Sequence, residues 1–280
     1  MVDVTGDAEG GAAGALLVLA MLADARLPTG AHAHSAGLEP AVQAGLLTPP
    51  RPREVDPAPH PPAREQSSSP HPPAREQSSS TAADWIALSR RRGGEDTARI
   101  PAFAATRLRT VTATEAGAAV VARHRWLDRR DLSPVEDAWA ARTPSPAVRD
   151  ATRRLGRGYL RLALALWPDD LDGAFAPGAA PPRPVVAGAI GAVTGLDALQ
   201  VALLVGYDDV QTIASAALKL TPLDPATTTR WVLDLHPAVV AMARSVAHLT
   251  EPDDLPSSGA PMSDAWAQAH ARTTRRLFHG

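Results

Sequence analysis

A chain of 280 residues with 45% hydrophobic and 21% charged side chains can bury a substantial core and has the balance of a soluble globular protein. Its formal net charge of −2 supplies no global field towards nucleic acid or an anionic membrane. The complete lack of cysteine excludes disulfides, thiolate nucleophiles and sulfur-ligated metals.

Aromatic residues are scarce at 4%, Ala, Leu and Arg are abundant, and no stretch alternates with period two, so helices are expected throughout. The first runs from Ala12 to Leu27 and stops at the turn Pro28-Thr29-Gly30. Its apolar part, Ala15 to Leu22, comes after Asp3, Asp7 and Glu9 rather than basic residues and is closed by Asp24 and Arg26. It therefore does not read as a signal peptide. No other run approaches the roughly 20 apolar residues of a membrane helix, which makes the cytoplasm the default compartment. Ser35 is placed to cap a second helix, with Glu39 near its first turn and an end near Gly45.

Segment 48–80 stands apart. It holds the Pro-rich "TPPRPREVDPA" and a tandem "PHPPAREQSSS" at 59–69 and 70–80, which predicts a disordered insertion. His60 and His71 fall in it and are given no function. A short helix is expected over Asp84–Arg91, then a long helical run from Ala102 to Ser133, broken or loosened near Gly117. Ala147 to Trp167 is amphipathic. Val148, Ala151, Leu155, Tyr159, Leu162 and Leu166 form one stripe, with Arg149, Arg153, Arg154, Arg157 and Arg161 off it. Five arginines without interleaved aromatics read as a solvated face before one that touches RNA or an acidic partner. From Val185 to Thr221 there is no proline, and Gly195-Leu196-Asp197 and Gly206-Tyr207-Asp208 are expected to divide this run into three helices. Asp224-Pro225 suits a helix start, Pro237 should kink or split the helix begun there, and a last helix covers about Ser263 to Arg276. The expected architecture is all-α, a single multi-helix domain over 1–280 interrupted at 48–80.

Candidate chemistry is sparse. His32 and His34 could ligate nickel or zinc, but no third ligand stands at a recognisable spacing; the other reading is a turn with one packed and one exposed imidazole. Adjacent Asp208 and Asp209 do not face each other on a helix, so a helix N-terminus explains them better than a shared-proton dyad. No nucleophile elbow, P-loop or dinucleotide fingerprint occurs, so nothing in the sequence argues for an enzyme.

"LADARLPTGAHAHSAGLEPAVQAG" resembles the amino-terminal signature of the urease accessory protein UreF family, an L-P-x-G core followed by S-x-G-L-E and A-V-x-A-G. "SPAVRDATRRLGRGYLRL" resembles that family's central Arg-rich helix. "GYDDVQTIASAALKLTPLDP" resembles a segment ending in [KR]-L-x-P-x-G-Q, and "AHARTTRRLFHG" its carboxy-terminal ending. The resemblance spans the chain outside 48–80. It implies an all-α adaptor that is not an enzyme, forms a homodimer, and joins a UreD/UreH-type scaffold protein and a UreG-type GTPase on the urease apoprotein. Nickel would then be handled by the complex rather than held here as a cofactor, with no nucleic acid or membrane partner. The alternative is a His-based nickel-binding or storage protein using His32 and His34. Partner contacts are expected over 27–39, 208–222 and 270–279, with Pro28, Gly30, His34, Ser35, Glu39, Tyr207, Lys219, Pro222, Arg276, Leu277 and Phe278 as the named candidates. Lys219 is the single lysine and falls where the family carries a basic residue. Asp224-Pro225 replaces the family's Gly-Gln, Ala31 its second Gly, and His32 a frequent aromatic.

Overall fold

The computed structural model describes residues 4–30, 33–46, 99–273 and 277–278. The insertion at 48–80, the expected helix at Asp84–Arg91, and His32 and Arg276 lie outside the described residues. Among the described residues there is no strand. The helices are α1 (Val4–Leu22), α2 (Leu38–Gln43), α3 (Arg99–Leu108), α4 (Val111–Leu127), α5 (Ser133–Ala141), α6 (Pro146–Leu166), α7 (Arg183–Val193), α8 (Ala198–Leu220), α9 (Pro225–Val246) and α10 (Pro261–Ala271). Residues 4–46 and 100 onward belong to one unit.

At its centre stands α4, whose run Thr112 to Ala122 is buried without a break. A helix apolar on every face has no solvent side and must be surrounded. It packs on α7 and α8, α8 packs on α9, and α6 covers α7. The 23-residue α8 is long and apolar enough to cross a membrane, contrary to the expectation that no run would be. Here 61% of its apolar window is buried inside this fold.

Several boundaries differ from the sequence reading. Helix α1 ends at Leu22 rather than Leu27, because the Asp24 carboxylate accepts the Arg26 backbone N–H at 2.9 Å and a tight turn replaces helix. Ser35 does not cap α2. The N-cap is Gly37, in the left-handed region at φ 79°, and Ser35 Oγ accepts instead from Glu39 N at 3.4 Å. The break expected at Gly117 falls at residues 109–110. Gly117 sits inside α4, where a Cβ would come 3.0–3.2 Å from Pro256, Leu249 and Leu255, so the glycine serves packing. Gly206-Tyr207-Asp208 likewise does not interrupt α8; a Cβ on Gly206 would meet Met242 at 2.6 Å, so this is where α8 and α9 cross closely. Pro237 is accommodated within a continuous α9, and α10 stops at Ala271.

The stripe assigned to α6 is rotated. Ala151 and Tyr159 are buried as expected, but Leu166 is 48% exposed, and the inner face runs through Thr152, Gly156, Gly158, Leu160 and Ala163. Small residues win here because other backbone comes in against the helix. A Cβ on Gly158 would lie 2.1 Å from the Thr29 carbonyl oxygen. The capping expectation holds at Asp224, and Ser145, which the sequence reading did not single out, caps α6 in the same way. Ser145 Oγ accepts from Val148 N to begin α6, and the Asp224 carboxylate accepts from Ala226 N to begin α9.

Candidate functional site

The turn at Pro28 to Gly30 lies on α6 through the Thr29–Gly158 approach, Gly30 at φ 84° and Pro28 exposed. From there the chain enters α2, whose Glu39 is 3% exposed. A buried carboxylate needs partners. Glu39 finds them in the carboxy-terminal tail: it accepts the Leu277 N–H at 2.7 Å and the Phe278 N–H at 3.0 Å, one on each oxygen. Gln43 Nε2 donates to it at 3.3 Å. His270 of α10 is also buried there; its Nδ1 faces Gln43 Oε1 at 3.2 Å, and its Nε2 stands 3.3 Å from Glu39 Oε2 without a well-directed hydrogen bond. Both ring nitrogens thus face acceptor oxygens.

Lys219, in the last turn of α8, places its Nζ 5.0 Å from the centre of the Phe278 ring, a cation–π distance. Phe278 is 2% exposed and Leu277 54%, so the tail inserts its aromatic residue into this chain's own fold and leaves the leucine outside. A cavity of about 150 Å³ adjoins them, lined by His34, Thr212, Ser215, Lys219 and Phe278. Glu39, Lys219, Leu277 and Phe278, from three distant segments, therefore meet at one place.

Other candidates lie elsewhere. Tyr207 turns to α9, its ring 6.5 Å from that of His236. Pro222 is exposed just past α8. Ser35 is buried behind the turn. His34 Nδ1 accepts the Ala36 N–H at 3.0 Å. Burial and the nearby Arg183 and Arg107 guanidinium groups push its pKa down to about 3, so the imidazole is neutral at pH 7. Among the described residues no group of three or more His, Asp or Glu is placed to hold a metal ion.

Beneath the turn lies a network that the sequence reading missed. Arg107 makes a two-pronged pair with Asp209, at 2.7 and 3.1 Å, and Thr112 donates to the same carboxylate at 2.7 Å. Arg183 bridges Glu115, at 2.5 Å, and Asp208. Two guanidinium groups thus face three carboxyls. Burial pushes Asp208 above the usual carboxylate range despite Arg183, whereas Arg107 and Thr112 hold Asp209 below it against the same burial. Asp208 and Asp209 are consequently mid-helix ion-pair partners and not a helix start. A usable signal was present: Glu115 is a lone carboxylate in the apolar run Val111–Ala122, and a charge there requires a partner.

A family model described as UreF matches residues 95–236. The Urease accessory protein UreF of Mycobacterium marinum (strain ATCC BAA-535 / M) is 34% identical over 270 residues, covering 94% of this chain and 98% of its own. Proteins of the same description from Mycobacterium sp. (strain JLS) and Mycobacterium tuberculosis (strain ATCC 25618 / H37Rv) are 34% and 33% identical, each covering 94% of this chain and 98% of its own.

Proposed function

This chain belongs to the UreF family of urease accessory proteins, which are maturation factors and not enzymes, and from that premise we propose that it is a cytoplasmic adaptor in urease maturation. It bridges a UreD/UreH-type scaffold protein and a UreG-type GTPase on the urease apoprotein, works as a homodimer, and lets nickel reach the urease active site without holding nickel as a cofactor of its own. One observation carries the reading: Glu39 of the signature segment, Lys219 at the end of α8 and the tail residues Leu277 and Phe278 meet at one place, so segments far apart in sequence are held together beside the exposed Leu277. The neutral His34 lines the cavity beside Lys219 and Phe278.

The test is a pull-down of the tagged full chain, co-expressed with the scaffold protein and the GTPase. Both partners should be retained by the parent. Removal of the residues from Arg276 onward should abolish retention of the scaffold protein while circular dichroism shows unchanged helicity. Retention of the scaffold protein by the shortened chain would contradict a role for the tail, and failure of the parent to retain either partner would contradict the adaptor reading.

A further inference from the structure

The outward face of α6 carries an exposed charged stripe. Asp150, Arg154, Arg157, Arg161 and Leu164 are all exposed and succeed one another at steps of four, three, four and three, so they form a single stripe about 21 Å long. Arg153 is turned aside over the Trp139 ring, 5.8 Å from its centre, and does not belong to the stripe. No carboxylate lies within ion-pair distance of Arg154, Arg157 or Arg161 among the described residues. Three arginines against one aspartate, in a chain whose net charge is −2, make a local basic strip on a mildly acidic molecule. The strip ends in Leu164, 44% exposed. At its Arg154 end it borders the signature region: Arg154 lines a cavity of about 310 Å³ together with His34, Ser35 and His270.

We propose that this face of α6 docks an acidic helix of a protein partner, with Arg154, Arg157 and Arg161 pairing its carboxylates and Leu164 meeting an apolar residue beyond them. Carboxylates spaced three and four apart on a facing helix repeat with the period of the arginines, so all three pairs form at once. The exposed Leu164 favours protein over nucleic acid, as does the absence of an aromatic residue on the stripe for a base to stack on. The proposal rests on the geometry of α6 and stands or falls independently of the adaptor reading.

Fluorescence anisotropy with three labelled probes tests it on the full chain. The first is a designed 21-residue helix with glutamates at steps of three and four on one face and a leucine one step beyond. The second has the same composition scrambled so that its glutamates surround the helix, and the third is a single-stranded RNA of equal charge. The patterned helix should bind about tenfold more tightly than either control. Its affinity should fall with added salt and survive R154K/R157K/R161K. It should drop about tenfold or more in R154E/R157E/R161E, whose helicity is expected to match the parent because all three side chains are exposed. Equal binding of the scrambled helix, unchanged binding by the charge-reversed variant, or tighter binding of the RNA would each overturn it.

Discussion

Asp208 and Asp209 occupy successive positions on α8 and meet opposite electrostatic surroundings. Asp209 has a two-pronged arginine and a hydroxyl donor, so its folded pKa lies below the ordinary 3.8. Its stabilising contribution is therefore present above pH 3.8 and is lost as pH falls through the lower folded value. Burial, with Asp209 and Glu115 adding to it, raises Asp208 despite Arg183, so ionising it above pH 3.8 counts against the folded state. Asp209→Ala should cost about 3–5 kcal/mol in urea unfolding at pH 7, because Arg107 is left buried and unpaired. Asp208→Asn should cost less than about 1 kcal/mol, since the amide oxygen still faces Arg183 and the buried charge is gone. A larger loss for the Asp208 variant would reverse the assignment. At Glu39 the expectation concerns the tail. Glu39→Ala removes the side chain that accepts both tail amides, and the Leu277 and Phe278 N–H groups should exchange with solvent about tenfold faster or more by NMR, with the α4 amides unchanged.

At the level of elements, the all-α character, the cap at Asp224 and the ends of α6 and α8 were legible, because each depends on local chemistry: a carboxylate beside a proline, or a proline that stops a helix. Glycine was where local reasoning failed. Gly117 and Gly206 read as breaks, yet each sits inside a helix where a neighbouring segment comes too close for a side chain, and only the tertiary arrangement reveals that neighbour. The rotated face of α6 has the same cause. Periodicity pointed to large apolar residues, and the fold chose small ones that admit backbone. Glu39 shows the third kind of gap: its place in the signature was visible, but its partners lie 238 and 239 positions away. Gly158→Ala tests the packing of α6 directly. A methyl group there would press on the Thr29 carbonyl and displace the signature turn, so the variant should lose about 1–3 kcal/mol and retain less scaffold protein in the pull-down. The same loss from an exposed site on the same helix, such as Ala165→Ser, would point instead to a general fragility of α6.

For the molecule as a whole, the packed centre of α4, α7 and α8, with Arg107 of α3, carries the paired charges, and the end of α8 meets the tail at Phe278. An adaptor requires this arrangement more than it requires a catalytic constellation, because its output is the relative placement of other proteins. The most direct measurement is urease activity in cells that express the urease subunits and the remaining accessory proteins with nickel supplied, compared with and without this chain. Activity should fall by about tenfold or more on its omission and be restored by the parent. Urease activity that is the same without the chain would contradict the account.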